Sequence, residues 1–283
     1  FSYNGATETI PIVRTARGLE YEITSKIKSI INVNKYGINI NLKNGIAIAK
    51  TKSQSHINNS ALDSVLSQYH YIQKITLDEA VSDNISTLLL NGFEESLEDK
   101  ELSNLELFLD KGGDLFLAQS QVNVDLSTQE ATIISSNIFD VIGTYGVNLQ
   151  ENLVLDETCG RVNVQQNKGF IRMEVPMEYP LLPIIRKFNK DEVVVSGLEQ
   201  VQLFFASEVA KNSTLSSNYE VNVQPLMYTS NRSGLMVGNF NLNPDPKNNP
   251  SLKSLNQPEK LVAVRSERTS KETSLLSQLI LVS

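Results

Sequence analysis

Tryptophan is absent, and cysteine is reduced to one residue, Cys159, in a chain of 283 residues that also holds two histidines, His56 and His70. A lone thiol excludes an internal disulfide. One cysteine and two histidines cannot supply the four ligands of a Cys/His zinc cage. Basic residues are the minority: 25 Lys+Arg against 32 Asp+Glu leave a net charge of −7 and a pI near 5.1, which excludes a general nucleic-acid binder. Long hydrophobic runs are missing as well. Stretches such as Val193–Val195 and 203–206 fall far below the roughly 20 apolar residues that a helix needs to cross a bilayer. There is no Gly-x-Ser-x-Gly elbow, Walker loop, Gly-x-Gly-x-x-Gly fingerprint or His-Glu-x-x-His pair, so no ordinary enzyme signature is visible.

Apolar residues, by contrast, make up 40% of the chain and charged ones 20%, enough to bury one large core or two modest ones. The chain starts at Phe1 with no initiator methionine, and the strand-like run 279–282 stops at its end. It reads as a piece of something longer.

Leu19, Ile23, Ile27, Ile30 and Ile31 recur at helical spacing, which predicts an amphipathic helix. Alternation predicts a strand over 36–42, with a turn at Asn44 and Gly45. Residues 45–156 then alternate short apolar runs with helical patterns. Strands are expected at 45–49, 71–77, 86–91, Asp114–Ala118 and 147–155. Helices are expected at 59–68, at 133–145 and in a segment opened by a capping box of Ser96 with Asp99 and ended by Gly112 and Gly113. Continuous apolar strands separated by helices predict a doubly wound, mostly parallel α/β sheet with helices on both faces. Beyond residue 156 the pattern turns β-rich. The three prolines of 176–183 predict an irregular arm, and 193–195, 201–206, 219–227, 234–239 and 260–265 read as strands. Residues 211–218 and 243–258 read as loops, the second as a disordered segment. This divides the chain into a leading strand and helix over 1–35 and an α/β domain over 36–283, with a core at 45–156 and an extension at 157–283.

In open α/β sheets ligands bind beyond the carboxyl ends of the strands, so the loops 50–58, 91–96 and 119–125 are the places to inspect. The first carries Thr51, Ser53, Ser55 and His56, an alternation resembling a flavin phosphate loop, where hydroxyls and amides hold a dianion. Hydroxyl residues also crowd loops because they bond nearby backbone, the commoner role. With Gln119 and Gln121 of the third loop they form the candidate ligand-binding set; no catalytic residue, metal ligand or cofactor is assigned. His70, between Tyr69 and Tyr71, reads as a helix-end residue. Cys159 has Asp156 and Glu157 opposing a thiolate and Arg161 favouring it. The acids Glu94, Glu95, Glu98, Asp99 and Glu101 read as a stabilised helix amino end rather than a cation site.

The order of these pieces is more specific than any one. LEYEITSKIKSI (19–30), the strand at 86–91, FLDKGGDLFLA (108–118), Tyr145-Gly146-Val147 and NLVLDETCGRV (152–162) follow one another in a pattern that resembles the gliding-motility auxiliary (GldG-type) family of ABC transport systems. Glu178-Tyr179-Pro180 with Pro183, the segment ending in FFAS, PLMYTS (225–230) and LVAV (261–264) continue the likeness. It implies a non-catalytic extracytoplasmic domain of a subunit anchored in the inner membrane, facing the periplasm, which accompanies an ABC permease and ATPase and recognises a partner or an envelope ligand such as a glycan. The core is also similar to the amino-terminal domain of an intraflagellar-transport subunit and to glutamine-amidotransferase-like and flavodoxin-like folds. Ala118-Gln119-Ser120 stands where the amidotransferases carry a cysteine, which argues against their hydrolysis, and the loop at 50–56 lacks the family's Gly-His-Gly pattern. A phosphate- or sugar-binding flavodoxin-like domain is the alternative, and a hydrolase using His56 or Ser120 ranks last.

Overall fold

The computed structural model describes residues 2, 3, 6, 7, 9, 10, 19, 23, 24, 26, 27, 45–52, 54, 60–67, 72–168, 171–212 and 218–283. The strand expected over 36–42, the loop residues Ser53, Ser55 and His56, and His70 lie outside them. Leu19, Ile23 and Ile27 are helical, as their spacing requires.

Among the described residues an eight-stranded sheet organises the chain. Its order is Lys187–Phe188, Tyr219–Tyr228, Leu261–Ser270, Leu276–Val282, Asp114–Ala118, Ile85–Asn91, Gly45–Lys50 and Ile72–Thr76. From Leu276–Val282 to Ile72–Thr76 every neighbouring pair is parallel. Ala47, Leu88, Leu115 and Leu279 stand side by side across four of these strands. All four are buried, which explains why the strands read as continuous apolar runs.

The doubly wound, mostly parallel fold, flavodoxin-like or glutamine-amidotransferase-like, is nevertheless overturned. Leu276–Val282, Leu261–Ser270, Tyr219–Tyr228 and Lys187–Phe188 are joined antiparallel, so the sheet is mixed, and strands hold far more of the described chain than helices do. A parallel neighbour needs a long crossover, usually a helix, whereas antiparallel neighbours need only a turn. The second half of the chain is built from turns. Cys159–Lys168 folds back on Ile171–Ile185, and Leu261–Ser270 folds back into Leu276–Val282. The Val154, Ile185, Leu203, Leu226 and Val262 cluster is accordingly made by strands, loops and one 3-10 turn, with no α-helix among its residues.

Several elements differ from their sequence reading for local reasons. The helix expected over 133–145 shrinks to Ile138–Gly143, because Glu130–Ile133 is a strand paired with Val122–Asp125. The run 147–155 does not finish the parallel series: Val147–Leu149 pairs with Val209–Lys211, and Asn152–Asp156 with Ser233–Val237. Val193–Val195 is a 3-10 turn, and only Val201–Gln202 of 201–206 is a strand. Pro176, Pro180 and Pro183 sit inside the strand Ile171–Ile185. Proline is tolerated where its missing donor faces no partner. Here Pro183 and Leu181 serve as acceptors, taking the N–H groups of Leu203 (2.9 Å) and Phe205 (3.0 Å). The segment 243–258 is ordered, with Asn249 and Leu252 buried and the preceding Leu242 carbonyl accepting the Tyr179 hydroxyl at 2.7 Å.

The helix Asp99–Asp110 takes Glu98, not Ser96, as its N-cap, and Ser96 Oγ instead accepts the Asn137 N–H at 3.3 Å. Leu105 and Leu109 face inward as their spacing dictates. Gly112, at φ +81°, makes the left-handed turn that ends the helix. In Ser60–Leu66, by contrast, Leu62 and Val65 are largely exposed.

Candidate functional site

The strands Ile85–Asn91, Asp114–Ala118 and Leu276–Val282 run parallel, so their carboxyl ends open at one edge of the sheet. A cleft of about 320 Å³ lies there, lined by Gly92, Phe93, Glu94, Gln119, Ser120, Val122, Asn123, Ile134, Gln202, Leu203 and Phe204, among others. Glu94 is its single charged side chain among the described residues.

Its floor is a set of polar side chains, buried or half-buried, spent mostly on backbone. Gln119 pairs with Phe93 in both directions: Oε1 accepts the Phe93 N–H at 2.8 Å and Nε2 donates to the Phe93 carbonyl at 2.9 Å. Nε2 also reaches the Ser120 carbonyl at 2.8 Å. Gln121 Nε2 donates to the Ile134 carbonyl at 3.0 Å, and the Ile134 N–H donates to the Gln121 carbonyl at 2.9 Å. Ser120 Oγ donates to the Phe205 carbonyl at 2.9 Å and lies 2.9 Å from Ser207 Oγ, which donates to the Asn152 carbonyl at 2.8 Å. Buried polar groups must be matched in this way, or each costs about 1–3 kcal/mol. The result is a stiff floor.

The neighbouring loop is held by the same chemistry. Thr51 is buried, its N–H donating to Gln54 Oε1 at 3.0 Å while its hydroxyl accepts the Gln54 N–H at 3.2 Å. Gln54 Nε2 reaches the Gly92 carbonyl at the cleft rim, at 2.9 Å. Glu101, 1% exposed, accepts the Lys52 N–H at 2.6 Å and the Glu98 N–H at 3.0 Å, tying this loop to the helix start. Glu94, Glu95, Glu98 and Asp99 are exposed. Among the described residues no three His, Cys, Asp or Glu side chains are grouped to hold a metal ion.

Of the candidate set, then, Gln119 lines the cleft, Gln121 stands behind it, and Thr51 reaches it through Gln54. The residue the sequence reading missed is Phe204. Phe205 adopts φ +56° and turns its ring edge-on to Tyr179, with centroids 6.2 Å apart, which leaves Phe204 pointing outward and 66% exposed. Two adjacent phenylalanines in a short segment are the available signal, because both can be buried together only if the backbone breaks its alternation.

Cys159 lies at the base of the long hairpin, opposite Pro183, and does not line the cleft. Burial above all, with the negative charge of Glu178, pushes its thiol up to about 11. The thiolate is therefore about one part in a thousand at pH 8. Alkylation by iodoacetamide at pH 8 is expected to be on the order of 100-fold slower than that of a free thiol and to climb steeply above pH 10. Rapid labelling at pH 8 would contradict this placement.

A family model described as ABC-type uncharacterized transport system matches residues 43–274. An uncharacterized protein of Borreliella burgdorferi is 22% identical over 236 residues, which cover 82% of this chain and 44% of that protein. The chain thus spans less than half the length of that relative. Among solved structures the fold is similar to the mmIFT52 N-terminal domain, with a TM-score of 0.50 and 12% identity, covering 83% of this chain and 84% of that one. No helix among the described residues is long and apolar enough to cross a membrane.

Proposed function

The chain belongs to the family described as ABC-type uncharacterized transport system, and from that premise we propose that it is a non-catalytic accessory domain that recognises a partner or ligand at the cleft edge of its sheet. The observation that carries this reading is the state of the cleft floor. Gln119 and Ser120, the polar residues placed where an active site of this architecture would assemble, have their side chains committed to the Phe93 and Phe205 backbone. A nucleophile needs a base within hydrogen-bond reach, and the groups nearest the Ser120 hydroxyl are a carbonyl, an amide and the Ser207 hydroxyl. The surface is built to be rigid and to be read.

The order of the sequence landmarks supports a finer setting: the periplasmic face of an inner-membrane-anchored subunit, beside an ABC permease and ATPase, in a gliding-motility context. Thr51, Ser53, Ser55, His56, Gln119 and Gln121 are proposed to border the ligand, with the two glutamines holding the floor rather than touching it.

Affinity purification of the full-length protein from native membranes, followed by mass spectrometry, tests the reading. An ABC permease and ATPase are expected as stoichiometric partners. Their absence under conditions that preserve other membrane complexes would overturn it.

A further inference from the structure

We propose that the cleft binds a neutral saccharide, stacked on Phe204. This rests on the reading that the cleft is the recognition site and names the class of molecule it takes. Phe204 stands 66% exposed at the rim of the cleft. Its loop is pinned on both sides, by Leu203 N–H to Pro183 O at 2.9 Å and Phe205 N–H to Leu181 O at 3.0 Å, and behind by Ser120 Oγ on the Phe205 carbonyl. The neighbouring ring of Phe205 is engaged with Tyr179. The backbone that carries Phe204 is thus held in place, and its ring lies exposed on the rim of a concave site.

The rest of the lining decides the class. A phosphate or carboxylate ligand calls for an arginine, a lysine or a helix amino end, and among the described residues the cleft offers Glu94 as its charged side chain, with no cationic one. An aliphatic ligand would find Leu203, Ile134 and Val122, but these sit beside the carboxamides of Asn123 and Gln202. Each carboxamide presents donors and an acceptor, which match the hydroxyls of a sugar, while a carboxylate takes a further hydroxyl by a charge-assisted bond. A pyranose has one face of C–H groups and a rim of hydroxyls. It therefore matches a ring platform bordered by two amides and one acid, and a cleft of about 320 Å³ accepts one or two such units.

The test is titration of the chain with cellotetraose, maltotetraose, mannotetraose, chitotetraose, glucose 6-phosphate and inorganic phosphate, followed by saturation-transfer NMR and calorimetry. At least one neutral tetrasaccharide is expected to bind at millimolar or better affinity and more tightly than either phosphate. Phe204→Ala should weaken it at least tenfold, Phe204→Trp should retain it, and Asn123→Ala should weaken it several-fold. Phe204 is mostly exposed, so its variants fold, as thermal melts of each would verify. No binding by any tetrasaccharide at 10 mM, tighter binding of a phosphate, or binding indifferent to Phe204→Ala would each overturn the proposal. If ABC partners co-purify while every sugar fails, this inference falls and the accessory role stands. If a sugar binds through Phe204 without such partners, the reverse holds.

Discussion

Replacing Asp156 by Ala is expected to cost about 3–5 kcal/mol of stability, among the largest single losses in this chain. The carboxylate is fully buried at the end of the strand Asn152–Asp156 and is the hub of a turn made far away in sequence. Its Oδ1 accepts the Thr158 N–H at 2.7 Å and the Ser230 hydroxyl at 2.7 Å, and its Oδ2 accepts the Ser230 N–H at 2.5 Å. Alanine would leave two backbone donors and one hydroxyl without their acceptor, each with its own desolvation cost, and a hole the size of a carboxylate. Asp156→Asn keeps the shape and one acceptor oxygen but turns a donor toward one of the donors it faces, so a loss of about half that size is expected. Equilibrium urea unfolding followed by circular dichroism measures both. A loss below about 1 kcal/mol for the alanine variant would show that the turn relaxes or that water replaces the carboxylate.

The second large effect is expected at Arg268, at the opposite end of the sheet from the cleft. This residue is 5% exposed, with its guanidinium carbon 4.7 Å from the Tyr145 ring centroid and 4.3 Å from that of Tyr219. Its Nη2 donates to Asp110 Oδ1 at 2.8 Å and its Nη1 to Thr144 Oγ1 at 2.9 Å. Stacked between two rings and hydrogen-bonded at its edge, the planar ion ties the end of the helix Asp99–Asp110 to Leu261–Ser270. Tyr145 is fully buried and its hydroxyl is 2.5 Å from Ser277 Oγ; burial pushes that phenol up to about 12, so the ring stays neutral across the physiological range. Arg268→Met, which keeps most of the volume, should lose about 3 kcal/mol through two cation–π contacts and two charge-assisted hydrogen bonds. Lysine is a point charge without the flat fork, so Arg268→Lys should recover a third of that loss or less. Full recovery by lysine would show that charge alone, and not stacking, holds the site.

Legibility followed the range of the interactions. The short parallel strands were readable because residues such as Leu88 and Leu90 are buried by neighbours on every side, and burial leaves a mark in the run itself. The end of the helix Asp99–Asp110 was readable because Gly112 adopts a backbone geometry that other residues resist. Its start was misplaced by two residues, since Ser96 and Glu98 are both plausible caps and the choice was made by Asn137, whose side chain brackets Leu97 at 2.8 and 2.9 Å. The prolines of Ile171–Ile185 were read as breakers of regular structure. Whether a missing N–H matters depends on which strands stand beside it, here Cys159–Lys168 on one side and, from further along the chain, Val201–Gln202 on the other. The cleft was partly legible: the loop after Asp114–Ala118 was identified from general topology, whereas Phe204 arrives from 85 residues further along, carried by the loop whose Phe205 carbonyl takes the Ser120 hydroxyl.

By itself, the sequence determined the family, the acidic balance, the exclusion of an internal disulfide and of a four-ligand Cys/His zinc cage within these residues, and the buried strands of the parallel half. Each of these depends on composition, on ordered landmarks or on periodicity within a few residues. Tertiary structure alone decided that the sheet is mixed, that Leu276–Val282 rather than a further strand-and-helix unit lies beside Asp114–Ala118, and that Gln119 and Ser120 are occupied. The parallel pairing of Leu276–Val282 with Asp114–Ala118 and the satisfaction of the Ser120 hydroxyl depend on partners more than 80 residues away, and a local pattern of apolar and polar residues is the same whether the neighbour runs parallel or antiparallel.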